Sequence, residues 1–497
     1  MKQPRIPDNF LIIAALIILC AVATWVVPGG VPQTWQVFSA LFSGFVKQAE
    51  IIVFVLIIGG SFWIVNASKA VDAGILAFLK GSKKSMNTLI MVLIMLLFSL
   101  FGAVFGMSEE CIAFVVVLVP LAISMGYDSI VGVCLVYVAA HVGFSGAFLN
   151  PFTIGVAQKL ADVPLFSGLE YRFVCWCILN GLLIATVLWY AARVKKHPTW
   201  SPMYEADESW RKHVAESAQT ITYYKNTSSV VSFVLCAVVV GLFTFFYSRG
   251  CSLTIGAHTF QAPWLLPAAG VLFVLFGVLS LRKSVHFYVL TLLCFTIVYL
   301  IIGVLCFQWY LSQIAALFLA LAVAAGIATG LPGNRIVKEF LSGAKDMLPA
   351  ALVIGLAAGI IIILQDGNVL NPMLQSLAEA MKSTGKVAAL SLMYGLQTVI
   401  NLAIPSATAK AAITMPIMAP FADLIGLSRQ ATVLAFQFGD GFTNMITPTS
   451  GVLIAVLGLA RIPYAVWFKW VWKFILALIV LGFLLLLPTV LFPIPGF

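Results

Sequence analysis

The sequence predicts an all-α polytopic membrane protein built from two inverted repeats. Three observations carry that prediction: a composition no soluble surface accommodates, apolar runs of bilayer-spanning length, and similarity between the two halves. Of 497 residues, 62% are hydrophobic and 9% charged, against about 25% charged in soluble domains, so a bilayer is the solvent that fits. Apolar runs of roughly 17–25 residues, enough to span hydrocarbon, recur from Phe10 to the C-terminus. The first follows Lys2 and Arg5 but lacks a small-residue cleavage site, so it reads as a retained helix and not a signal peptide. The net charge of +10 comes from basic residues recurring between apolar runs. That is the distribution of topology signals, not of a nucleic-acid surface. The nine cysteines include no C-x-x-C pair and read as small apolar residues, neither a disulfide framework nor a metal site.

The internal similarity has an offset of about 300 residues. Phe42-Ser-Gly44 with Lys47 resembles Leu341-Ser-Gly343 with Lys345, and Pro120 and Gly126 match Pro420 and Gly426. Gly143-Phe144 before Asn150-Pro151 echoes Gly441-Phe442 before Thr447-Pro448, and Val163-Pro164 falls opposite Ile462-Pro463. The shared order makes the repeat. Residues 1–195 form the first copy, with spans near 10–28, 49–66, 130–160 and 171–194. Within it lies an interrupted pair over 85–125, broken at Gly106-Met-Ser-Glu-Glu110. Residues 196–227, with Glu205, Asp207, Glu208, Arg211 and Lys212, read as a solvated cytoplasmic tether, and 228–308 add three central spans. The second copy, 309–497, has spans near 309–330, 347–365, 430–462 and 469–496 and an interrupted pair over 387–425, broken at Ile404-Pro-Ser-Ala-Thr-Ala-Lys410.

If each interrupted pair is a re-entrant hairpin, seven spans precede the second copy and the copies are oppositely oriented. With the N-terminus inside, most of the 28 Lys and Arg fall on cytoplasmic segments, among them Lys83, Lys84, Lys195, Lys196, Arg282, Lys283, Arg335 and Lys338. Lys47, Lys159, Arg172, Arg249, Lys382, Lys386 and Arg429 fall at outer ends. The expected architecture is about 11 transmembrane helices plus two re-entrant hairpins, with broken helices at the midplane.

Irregular backbone survives at membrane depth only where it is buried in protein or lines a cavity, and freed helix N-termini there attract anions. Four segments qualify. At the first tip, Ser108, Glu109 and Glu110 can receive an ammonium, a cation or a proton; two carboxylates there cost about 2.5–3.5 kcal/mol each on insertion scales. The plainer alternative is a capping pair. At the second tip, Ser406 and Thr408 can present hydroxyls to a carboxylate. Lys410 can pair with that carboxylate, pair with Glu109 or Glu110, fill a cation site, or merely snorkel. Asn150, in Gly143-Phe-Ser-Gly146 to Asn150-Pro151, suits substrate or Na⁺, against a simple kink. Asp440, flanked by glycines in a broken helix, is the best single ion or proton ligand, with Asn444, Thr449 and Ser450 following as substrate contacts. His141 enters as a proton-coupling candidate beside the reading of a packed histidine, and Asp366 and Asn368 as loop residues. No H-E-x-x-H, nucleophile elbow, G-x-G-x-x-G or Walker A pattern is present, so neither an enzyme nor ATP coupling is indicated.

The runs Gly102-Ala-Val-Phe-Gly-Met-Ser-Glu-Glu110, Asn150-Pro-Phe152, Arg193-Val-Lys-Lys196, Ala411-Ala-Ile-Thr-Met-Pro416, Val433-Leu-Ala-Phe-Gln-Phe-Gly-Asp-Gly-Phe442 and Pro448-Thr-Ser450 resemble the YfcC branch of the DcuC/ArcD group of bacterial carriers, in the ion transporter superfamily. The resemblance implies an elevator-type homodimer in the bacterial inner membrane, moving C4-dicarboxylates or amino acids. The second tip departs from the Ser-Gly-Ser-Gly-Gln pattern of such relatives: Ser406-Ala-Thr-Ala-Lys410 is stiffer and carries a cation. That charge weighs against a dibasic substrate unless Glu109, Glu110 and Asp440 compensate, and it favours Na⁺-independent exchange. The expectation is a secondary carrier of a small carboxylate-bearing solute, an amino acid by preference, with no cofactor and with Na⁺ or H⁺ coupling open. A C4-dicarboxylate carrier is the alternative and an ion channel the distant one.

Overall fold

The computed structural model describes residues 9–81, 86–212, 222–255, 258–369 and 384–497, with 372 and 376. Lys2, Arg5, Lys83, Lys84 and Lys382 and linker residues 213–221, all used above, lie outside them. In chain order the helices are α1 (Asn9–Val26), α2 (Gln36–Lys47), α3 (Ala49–Ala67), α4 (Ala70–Gly81), α5 (Asn87–Phe105), α6 (Cys111–Ser124), α7 (Ser129–Ser145), α8 (Val156–Leu160) and α9 (Leu169–Lys196). Then come α10 (Thr227–Tyr247), α11 (Leu265–Lys283), α12 (Val285–Phe307), α13 (Leu311–Ala328), α14 (Gly333–Asp366), α15 (Lys386–Ala403) and α16 (Ala407–Leu424). The chain ends with α17 (Arg429–Asn444), α18 (Gly451–Leu459), α19 (Tyr464–Leu486) and α20 (Pro488–Leu491).

Among the described residues nine helices are long and apolar enough to cross a membrane: α3, α5, α9 to α14, and α19. The eleven expected spans all fall on helices, but the first is a shorter apolar helix and two are interrupted. Conversely, α5, expected as a hairpin arm, passes the test of length and apolarity. Composition does not distinguish a helix that crosses from one that turns back. One feature departs from all-α: β1 (Ser252–Ile255) pairs antiparallel with β2 (His258–Gln261) between α10 and α11, where Thr254, Ile255, Thr259 and Phe260 supply β-branched and aromatic residues.

The breaks are sharper than the sequence suggests. α5 ends at Gly106, which has a left-handed φ of 73°, and α6 begins at Cys111, so this break falls where expected. α15 ends at Ala403, Pro405 cannot donate to continue it, and α16 starts at Ala407. The Lys410 N–H bonds the Ser406 carbonyl, so Lys410 belongs to the first turn of a helix and not to an unwound tip. α7 continues, through a π-helical stretch at Cys134–Val138, to Ser145 and unwinds only over 146–150. α17 is helical through Asn444 and unwinds over 445–450. The glycines beside Asp440 therefore serve close packing: a Cβ on Gly439 would lie 2.9 Å from the Thr398 backbone nitrogen, and one on Gly441 2.7 Å from Ser145 Cα.

Packing is reciprocal between the halves. α5 lies along α7 and α15 along α17, α6 meets α18 while α16 meets α8, and α3 lies along α14. Gly44 and Gly343, matched in sequence, both mark helix crossings. A Cβ on Gly44 would sit 2.5 Å from the Gly355 carbonyl oxygen, and one on Gly343 2.4 Å from that of Gly59, the close backbone approach that small residues permit between membrane helices. The start of the linker is not a solvated tether. Asp207 is buried and its Oδ2 accepts the Ser129 N–H at 2.8 Å, while Ser201 donates to Asp128 Oδ2 at 2.6 Å. This end of the linker satisfies the N-terminus of α7. Glu208 and Lys212, by contrast, form an exposed pair.

Candidate functional site

The turns between α5 and α6 and between α15 and α16, with the second break, converge on one cavity of about 490 Å³, within the roughly 300–1,000 Å³ of small-ligand sites. Ser108, Glu109 and Glu110 line it from the first tip, Ser406 and Thr408 from the second, and Asn444, Thr449 and Ser450 from the second broken helix. Eight of the ten substrate contacts expected from sequence thus share one space. Lys47, Glu50 and Tyr310, all exposed, join them where the cavity reaches the surface.

The cavity is electrostatically polar. On one side, Glu109 and Tyr310 line the wall together, and Glu110 Oε2 accepts the Ser108 N–H at 3.0 Å. That bond ties Glu110 back to its own turn and caps no N–H of α6, whose N-cap Glu110 makes no side-chain cap bond, and it leaves Glu110 Oε1 and the Glu109 carboxylate facing the cavity. On the other side, α16 and α18 begin at the cavity wall, at Ala407 and Gly451. Their first N–H groups have no intrahelical acceptor and carry positive partial charge.

Lys410 and Asp440 do not line the cavity. They form a fully buried pair, Nζ to Oδ1 at 3.0 Å, with Nζ also 3.5 Å from the Gln397 carbonyl oxygen and 4.7 Å from the Phe436 ring centroid. Asn444 connects this pair to the cavity. Its Nδ2 lies 3.4 Å from Asp440 Oδ2, while its Oδ1 accepts from Asn401, whose Nδ2 also reaches the Asp440 carbonyl and Thr443 Oγ1. The pair is one hydrogen-bonded layer behind the wall.

Asn150 is likewise structural in position. Its Oδ1 accepts the N–H groups of Phe152 and Thr153 at 2.8 and 3.2 Å, and its Nδ2 donates to the Gly102 carbonyl. It holds the first break against α5 and is fully buried. His141 is buried behind Ser108: Nε2 lies 3.4 Å from the Ser108 hydroxyl and Nδ1 3.1 Å from the Tyr137 carbonyl oxygen. Because a carbonyl only accepts, Nδ1 carries the proton and Nε2 faces Ser108 as acceptor.

Sequence reasoning missed five contributors. Glu50 and Tyr310 looked like span boundaries. Gln397 and Asn401 lie four apart on α15, hence on one face, and two amides in an apolar arm were the available signal. Arg172, read as an outer charge, is wholly buried. It donates to Gln437 Oε1 at 2.5 Å and Gln430 Oε1 at 2.9 Å and stacks under Phe497. Gln437 in turn donates to the Ser145 and Ala147 carbonyls, at 2.7 and 2.8 Å, which the first break frees. One half thus satisfies the unwound backbone of the other.

A family model described as DcuC, C4-dicarboxylate anaerobic carrier, matches residues 35–282 and 279–491. The chain is 32% identical, over 94% of its length and 93% of the relative, to the Escherichia coli (strain K12) protein named "Putative basic amino acid antiporter YfcC". It is 26% identical to a Haemophilus influenzae protein described as "Uncharacterized protein", over 93% of this chain and 82% of that one. Two solved transporters align along nearly the whole chain at low similarity. They are Alcanivorax borkumensis YdaH (TM-score 0.39, 18% identity, 97% of this chain and 98% of that) and Neisseria gonorrhoeae MtrF (TM-score 0.37, 16%, 98% and 96%). Neither informs the placement of residues here. The chain belongs to the DcuC family and is a multi-pass membrane protein and secondary transporter, not an enzyme.

Proposed function

We propose that this carrier exchanges amino acids, cationic ones by preference, with the substrate spanning the two poles of the cavity. The α-carboxylate meets the N-termini of α16 and α18 with Ser406, Thr408, Thr449 and Ser450, and the cationic groups face Glu109, Glu110 and Glu50. The observation that carries this reading is the withdrawal of Lys410 into its pair with Asp440. With that lysine neutralised behind the wall, the cavity's acidic groups outnumber Lys47, which itself bonds Gln365 Oε1 at 3.0 Å. The objection that an added lysine disfavours a dibasic solute falls away. The name of the Escherichia coli relative agrees with this choice.

The architecture proposed with it is two inverted repeats, 1–195 and 309–497, with re-entrant hairpins over 85–125 and 387–425, moving as an elevator in a homodimer with a cytoplasmic N-terminus. The reciprocal packing and the paired Gly44 and Gly343 crossings support the repeat. One observation favours a second substrate reading: two helix N-termini at one cavity can grip two carboxylates, as a C4-dicarboxylate needs.

Counterflow in proteoliposomes separates the two. Vesicles loaded with arginine, lysine or ornithine stimulate uptake of a labelled basic amino acid on the proposed reading, and succinate does not. Stimulation by succinate alone would overturn the substrate assignment, and non-saturable flux without counter-substrate would point to a channel.

A further inference from the structure

The Lys410–Asp440 pair has the coordination of an occupied cation site. The ammonium is fully buried, and the oxygens within reach are Asp440 Oδ1 at 3.0 Å and the Gln397 carbonyl at 3.5 Å, with the Phe436 ring face at 4.7 Å. That is a carboxylate, a backbone carbonyl and a π face, the hard and polarisable donors an alkali cation or an ammonium takes. The same layer holds surplus acceptors. Among the described residues, Asn401 Oδ1 and both amide atoms of Gln397, Oε1 and Nε2, are buried without a hydrogen-bond partner. Unpaired buried acceptors are costly, and two amide oxygens on the helix that supplies the Gln397 carbonyl make the surroundings of the buried pair rich in oxygen acceptors, with the cation supplied by the chain itself. The pocket joins three elements, α15, α16 and α17, and communicates with the cavity through Asn444.

We infer that Lys410 is a tethered cation occupying an alkali-cation site, so that this carrier holds its second hairpin closed on α17 without a co-transported Na⁺. The lysine is a positioning residue. It keeps α16 against Asp440 and Asn444 in their places at the cavity wall, and it never leaves the site. Shortening it to alanine vacates the ammonium position while keeping Asp440, the Gln397 carbonyl and the spare amide oxygens. A small hydrated cation then has both the charge and the ligands to enter.

The test uses purified full-length protein in detergent and does not require the substrate to be known, so its outcome is separate from that of the exchange reading. Thermal unfolding of wild type, Lys410→Ala and the neutral pair Lys410→Met/Asp440→Asn is followed in NaCl and in choline chloride at equal ionic strength. Wild type melts at the same temperature in both salts. Lys410→Ala melts lower in choline and regains most of the loss as NaCl is raised, with a saturable dependence. The neutral pair is indifferent to Na⁺. Na⁺-specific stabilisation of wild type would overturn the inference, because the site would then be free for the ion. So would a Lys410→Ala protein that folds but ignores Na⁺, or one that cannot be recovered folded even in high NaCl.

Discussion

The α5–α6 and α15–α16 pairs share a backbone plan and differ in chemistry. Each is a helix pair broken by a short turn, packed along its own half's broken helix and against the far segment of the other's. The first tip puts two carboxylates at the cavity beside Ser108, whose hydroxyl is backed by His141. The second shows only hydroxyls and helix N-termini to the cavity and keeps its charges, Lys410 and Asp440, one layer back. Two similar backbone breaks thus make an asymmetric site, and they differ in where the charge sits.

Breaking the second side has the largest expected effect. Asp440→Asn leaves the buried Lys410 ammonium unpaired, and losing one partner of a buried pair costs about 3–5 kcal/mol. The protein should melt far lower, and Lys410→Met/Asp440→Asn should recover most of the loss. A destabilisation that the double variant fails to relieve would show the pair does not act as a unit. Breaking the first side acts on transport: Glu109→Gln/Glu110→Gln should cut exchange of a basic amino acid by about 100-fold, the order expected for losing a desolvated charge contact, while leaving the melting temperature near wild type. Unchanged uptake in that variant would remove the acidic pole from the site.

Cutting the link between halves comes next. Gln437→Leu removes the acceptor of Arg172 Nη1, leaving the guanidinium only its bond to Gln430, and strips the Ser145 and Ala147 carbonyls of their amide donor, and buried unsatisfied groups cost about 1–3 kcal/mol each. A melting temperature within a degree of wild type would show that water satisfies them. The smallest effect lies at the linker. Burial pushes the Asp207 carboxyl up to about 6, so its contribution to stability is complete below about pH 4 and is lost as pH rises through 6. Asp207→Asn keeps an acceptor for the Ser129 N–H and should melt progressively higher than wild type between pH 4 and 7. A constant difference over that range would contradict the assignment.

Much of this was legible before any coordinates. Hydropathy located every helix that carries an expected span, and spacing located the tips, because apolar length and Gly/Pro punctuation are local properties. Eight expected contacts met in one cavity since each sits at a break, and breaks are what membrane burial forces together. What stayed hidden was pairwise. Nothing local says that Lys410 faces Asp440 across two helices, or that Arg172 is buried, since a basic residue near a span end has the same sequence context whether it faces water or a glutamine. The glycines around Asp440 misled for a related reason: they permit unwinding, but here a neighbouring helix uses the space.

Ligand binding to the purified protein tests the polarity of the site most directly. Calorimetric titration in Na⁺-free buffer compares arginine and succinate on wild type and on Glu109→Gln/Glu110→Gln. Saturable arginine binding to wild type, weakened in the variant and not displaced by succinate, is the predicted result. Succinate binding to wild type, held or strengthened when the two carboxylates are neutralised, would contradict it.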